Sequence, residues 1–185
     1  MTKEAFDGLL NSDQVTQKTK EVLLKRETKK SVSPTFFTLE EFELLQSVCD
    51  HLTAQANDRL VDIAGEVDVR LTAKTGPGWR YDTLPPDGIS YKTGLKGIAE
   101  NILLLSHKSF NDLNTEEKNN LLKTVQQGTS LGETWKNFSG KRFFELLLTE
   151  ATEHFYSHPN AQAEINYIGF ADAKGWQVPQ LRPEL

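Results

Sequence analysis

The sequence predicts a mainly α protein: a single helical domain of about five core helices behind an N-terminal helical arm, with irregular aromatic-rich loops. Three observations predict it. Apolar residues recur every three or four positions through most of the 185 residues, cap and stop residues bracket those runs, and no stretch alternates apolar and polar side chains as a half-buried strand would. We place the arm at residues 1–35 and the domain at 36–185.

The arm is polar and lysine-rich, with Phe6, Leu9, Leu10, Val15, Val22, Leu23 and Leu24 spaced for one or two weakly amphipathic helices, and Pro34 closes it. Thr38 and Glu41 then form a capping box, with Phe37 placed to staple against Phe42. Phe42, Leu44, Leu45, Val48, Cys49 and Leu52 fall on one face, so this first core helix runs to about His51 or Thr53. Asp62 caps the second, in which Ile63, Val67 and Leu71 repeat until Gly76 and Pro77 stop it. Asp87 or Ser90 opens the third, through Tyr91, Leu95, Ile98, Ile102 and Leu105. Asn114 with Glu117 starts the fourth, which carries Leu121, Leu122 and Val125 and ends at Gly128. The fifth, over 141–156, has the widest apolar face, from Phe143, Phe144, Leu147, Leu148, Ala151 and Phe155, and Pro159 ends it. Beyond Pro159 the pattern breaks into short pieces rich in aromatics, Gly and Pro.

Composition removes several functions. A net charge of −5 argues against nucleic acid, which needs a concentrated basic surface. Lys18, Lys20, Lys25, Arg26, Lys29 and Lys30 do cluster, but Glu21 and Glu27 interrupt them, so they read as a solvated helix face. Hydrophobic residues make up only 37% of the chain, so part of it is expected to pack on something else or stay exposed. Cys49 is the sole cysteine: no intramolecular disulfide or thiolate metal site can form, and its place on a buried stripe makes it a small core hydrophobe. No apolar run is long enough to span a bilayer, and MTKEAFDGLLNSDQ lacks the regions of a signal peptide.

Catalytic machinery is not legible. His154 and His158 are spaced i, i+4 with Glu150 one turn earlier, but His158 directly precedes Pro159 and reads as a last-turn residue facing the helix C-terminal dipole. There is no GxSxG, GxGxxG or GxxxxGKS, and possible carboxylate pairs among Glu66, Asp68, Asp82 and Asp87 are no more than any acidic chain offers. Neither catalytic, cofactor-binding nor metal-ligating residues are assigned.

What stands out instead is TGPGWRYDTLPPDG, residues 75–88, which cannot be a regular helix. Its Trp79, Arg80 and Tyr81, with Trp135, Tyr156, Tyr167, Phe170 and Trp176, are types that dominate interface energetics and also stack on sugar rings. Three fates are open to these rings: completing the chain's own core, meeting a partner, or touching a ligand.

FFTLEEFELLQSVCDHL, DIAGEVDVRL, GPGWRYDTLPPDG, GLKG, RFFELLLTEATEHFYSHP and YIGFADAKGWQ, in this order and spacing, resemble the gluconate 2-dehydrogenase subunit 3 family over about residues 36–177. The resemblance implies a non-catalytic small subunit, required for folding, stability or export of a large FAD-dependent partner of the glucose-methanol-choline type. FAD and the hydride transfer from a sugar carbinol then belong to the partner, with none of the cofactor held here, and an electron-accepting cytochrome is a candidate further member of the complex. Trp79, Arg80, Tyr81, Asp82, Tyr167, Phe170 and Trp176 are the expected interface residues. An alternative is a sugar-binding or gating module, in which Trp79 to Asp82 shape the partner's active-site mouth. Two departures matter. The twin-arginine signal of many members is missing, so the expectation is a cytoplasmic complex, or a periplasmic one exported on the partner's signal. Asn166 stands where the family tends to have glycine, and asparagine tolerates the positive φ such a turn needs.

Overall fold

A computed structural model describes residues 1–28, 33–76, 83–105 and 109–170. The fold class is as expected: the described residues are mainly helical. Eight α-helices occur among them: α1 Lys3–Leu10, α2 Gln17–Glu27, α3 Leu39–Leu52, α4 Ile63–Thr72, α5 Asp87–Leu105, α6 Thr115–Gln127, α7 Gly140–Tyr156 and α8 Pro159–Glu164. They sort into two compact units, which among described residues are 33–153 and, separately, 1–28 with 154–170.

The larger unit holds the five expected core helices, α3 to α7, the last up to residue 153. Local chemistry sets their ends. Thr38 accepts from the Glu41 amide while the Glu41 carboxylate accepts from the Thr38 amide, and Asn114 with Glu117 repeats that reciprocal cap on α6. Asp62 accepts from the Gly65 amide at the start of α4. At the C-termini, α3, α4 and α6 close in the same way: a residue one or two positions past each helix has positive φ, and paired amides reach back to the last turn. Glycine takes that position after α6, at Gly128 with φ 70°, but Ala54 (φ 57°) and Lys74 (φ 55°) take it after α3 and α4.

The core of this unit is a run of rings. Phe36 meets Phe37 edge-on at 4.9 Å between centroids, Phe37 meets Tyr91 at 6.2 Å, and Tyr91 meets Phe143 at 6.0 Å. Trp135 and Phe138, in and beside a short 3-10 turn, close the run against Phe143. Aliphatic residues of α3 to α6, such as Leu45, Val48, Val67, Ile98 and Val125, fill the space beside it. Cys49 is among the buried residues, and burial pushes its thiol well above the usual range, so it is packing material.

The smaller unit is built from the expected arm helices and from α8. Phe6, Leu10, Val15, Leu23, Ala163 and Phe170 form its core. Arg26 donates to the Ser157 carbonyl at 2.7 Å, tying α2 to the turn before α8. The sequence reading did not anticipate α8. Pro159 does follow the end of α7, but it also occupies the first position of a new helix, where its fixed φ is pre-set and its missing N–H costs nothing. His158 is corrected with it: its ring nitrogen accepts from the Asn160 amide as the N-cap of α8, rather than serving the C-terminus of α7. Asn166 has φ 55°, the left-handed conformation expected of it.

A second correction concerns α5. Its apolar stripe was expected to continue through Leu105, yet Leu103, Leu104 and Leu105 are 58%, 60% and 56% exposed, while Ile102 is buried. The core-facing stripe therefore ends one turn before the helix does.

Candidate interaction surface

The loop read as interaction-bearing leaves α4 at residue 73 and rejoins α5 at Asp87. Trp79, Arg80, Tyr81 and Asp82 lie outside the described residues, as does Trp176. Both stems of the loop are described, and one side chain holds them together. The Arg70 guanidinium donates through Nη1 to the Thr75 carbonyl and to Asp87 Oδ2, each at 2.9 Å. Its Nε and Nη2 face Glu150 on α7 as a two-pronged pair, the Nη2 contact being 2.8 Å. Tyr91 completes the group by donating its hydroxyl to Glu150 Oε2 at 2.5 Å.

Burial makes this cluster strong and also explains its protonation. Burial works against the Arg70 charge, but Glu150 and then Asp87 outweigh it and hold the guanidinium pKa above its ordinary value. The Tyr91 phenol is pushed well up, first by burial and then by Glu150, so it remains a proton donor. Past Asp87, the Ser90 hydroxyl donates back to the Pro85 carbonyl, and Leu84 is buried.

A second carboxylate fixes the chain that leads into α3. Asp68 is fully buried and accepts from the amides of Thr35, Phe36 and Phe37 and from the Thr35 hydroxyl, at 2.9 to 3.0 Å. Burial alone would raise its pKa; the four donors overcome that and leave it below the ordinary value. A third, Asp50, pairs with Arg59 and with Gln55, whose amide also binds the backbone of Leu60 and Val61 and so shapes the α3–α4 loop.

The glycines of GLKG have a packing duty. A Cβ on Gly94 would stand 2.3 Å from the Phe143 ring and one on Gly97 2.5 Å from Trp135, so both rings lie flat on bare helix backbone. Trp135 Nε1 also donates to the Gly97 carbonyl at 3.2 Å.

A model of the family described as gluconate 2-dehydrogenase subunit 3 matches residues 39–174. The chain belongs to that family. No curated protein and no solved structure matches it.

In this member of the gluconate 2-dehydrogenase subunit 3 family, several of the motifs have a structural account within the described residues. Asp62, Asp68 and Arg70 of DIAGEVDVRL are a cap, an anchor and a clamp. Asp87 of PPDG is the clamp's far end, and a Cβ on the Gly88 beside it would come 2.7 Å from Phe36. Glu150 and His158 of the α7 motif hold Arg70 and cap α8. Among the described residues, no three His, Cys, Asp or Glu side chains converge as a metal site would require. None of their helices is long and apolar enough to cross a membrane.

Of the expected interface residues within the described chain, Phe170 is buried in the smaller unit's own core. Tyr167 is 37% exposed and lines a hollow of about 410 Å³ with Lys18, Val22 and Arg26. Trp135 is a core ring, whereas Tyr156 is exposed. Sequence reasoning missed Arg70, Glu150 and Tyr91 as a group. The available signal was Glu150 itself, seven residues after Phe143 and three after Leu147, a charge standing on an apolar stripe.

Proposed function

We propose that this chain is a non-catalytic small subunit of a heteromeric FAD-dependent sugar or polyol dehydrogenase, and that it stabilises or helps to fold the large flavin-bearing partner. Membership of the gluconate 2-dehydrogenase subunit 3 family over residues 39–174 carries this reading. The geometry supports it. Arg70, Glu150, Asp68 and Asp50, the charged groups a reaction would recruit from the interior, are engaged with one another, with Tyr91 or with backbone. FAD is the partner's cofactor in this proposal, and the complex works in the cytoplasm or leaves it with the partner.

Expression of the large subunit with and without this chain tests the reading. Alone, the large subunit is expected to be insoluble or poorly active; together, a yellow complex should copurify. A stable, fully active large subunit made without this chain would overturn the proposal. Within an intact complex, Trp79→Ala or Trp176→Ala should weaken assembly by about 2 kcal/mol or more where the ring is a buried anchor, read as an increased dissociation constant.

A further inference from the structure

A groove of about 420 Å³ lies in the larger unit between α3, the end of α5 and the 3-10 turn at Phe110–Asp112. Leu44, Ala99, Ile102, Leu103 and Phe110 give it an apolar floor. Among the described residues, its charged lining is two carboxylates, Glu40 and Glu43, both exposed and set one helical turn apart on α3. Leu103, at its α5 end, is 58% exposed, and Leu104 and Leu105 beside it in the helix are exposed as well. An exposed leucine continuous with an apolar floor is the kind of contiguous apolar surface that marks an interaction site.

Resting on the subunit reading, we propose that this groove is a docking site for the large partner subunit, and that it receives a segment with an apolar anchor flanked by lysine or arginine. The anchor sits on Leu44, Ile102 and Leu103. The flanking cation pairs with Glu40 and Glu43. The two rim carboxylates favour a segment that carries lysine or arginine, which gains both steering and pairing. All the lining residues fall within the family-matched span 39–174. The leucines supply the area removed from water, and the rim supplies orientation and register.

The test uses the full chain made in its native host, with the photo-crosslinking residue benzoylphenylalanine at Leu103, and at exposed Lys123 on α6 as a control. After irradiation, the crosslinked peptide is identified by mass spectrometry. The expected result is a Leu103 crosslink to the flavoprotein subunit, at a peptide with Lys or Arg within a few residues. Two exposed-site variants accompany it. Leu103→Gln with Leu104→Gln, and Glu40→Gln with Glu43→Gln, should each reduce copurified flavoprotein at least tenfold without changing the free chain's melting temperature by more than a degree or two. The loss from the glutamate pair should shrink in high salt, because the wild-type pairing is itself screened there. A Leu103 crosslink to this chain or to a second copy would overturn the proposal, as would unchanged copurification by either double variant. If the flavoprotein copurifies yet Leu103 does not reach it, the docking site fails and the subunit reading stands. If no flavoprotein copurifies with wild type, both fail.

Discussion

Two of the arginine–carboxylate pairs in the larger unit, Arg59 with Asp50 beside the α3–α4 loop and Arg70 with Glu150 between α4 and α7, do different work. Arg59 reaches back nine residues to Asp50, and the two side chains are 41% and 9% exposed. Arg70 reaches Glu150 across 80 residues, and the two side chains are 16% and 9% exposed. The first pair shapes a loop between neighbouring helices. The second joins α4, α7 and the start of α5, and holds both stems of the 75–87 loop. Both carboxylates are equally shielded; the depth of the arginine and the sequence separation make one pair a local staple and the other a tertiary anchor.

Breaking the deep pair should have the largest effect. Arg70→Ala leaves Glu150 buried without its cation and is expected to cost about 3–5 kcal/mol in chemical denaturation. High salt should not rescue it. A loss below about 2 kcal/mol would place Arg70 with Arg59 and erase the distinction.

Asp68 sharpens the comparison, because it is a buried carboxylate held by amides instead of a cation. Asp68→Asn turns a nitrogen donor toward some of those donors and should cost about 2–3 kcal/mol at pH 7. Its folded pKa is depressed, so its contribution is present above the unfolded value of 3.8 and is lost as pH falls through the lower folded value. The difference between wild type and Asp68→Asn should therefore narrow below about pH 4, and a constant difference would contradict the assignment.

Arg59→Ala tests the shallow pair. Asp50 is as shielded as Glu150, at 9% side-chain exposure, but keeps Gln55 as a donor. The expected loss is therefore about 1–2 kcal/mol, reduced in 1 M salt because Arg59 is exposed. The smallest effect is a gain: Ala54→Gly and Lys74→Gly each relieve an L-residue held at positive φ, and thermal melts should show about 0.5–1 kcal/mol of stabilisation after the entropy of glycine is subtracted.

What the sequence made legible follows the same division between near and far. The caps at Thr38, Asp62 and Asn114 and the stop at Gly128 were readable because donor and acceptor lie within three or four residues. Helix α8 was missed because Pro159 signals both an end and a beginning, and the small residues Ala161 and Ala163 gave no stripe to decide between them. Leu105 was misplaced because periodicity continues along a helix after its neighbours have run out. Arg70, Asp87 and Glu150 could each be seen as charges, but their meeting depends on how α4, α5 and α7 cross, which no local pattern encodes. The glycines of GLKG were recognisable as a motif; the rings of Trp135 and Phe143 that require them come from elsewhere in the chain.

The span between Arg70 and Glu150 also sets an order of events during synthesis. At about 5–20 residues per second, a ribosome that has just added Arg70 needs roughly 4–16 s more to add Glu150. Through that interval the helix carrying Arg70 can form, and Asp87 soon follows it, but the guanidinium lacks the carboxylate that orients it. The guanidinium that ties the stems of the 75–87 loop is therefore fully held only once α7 has emerged from the ribosome.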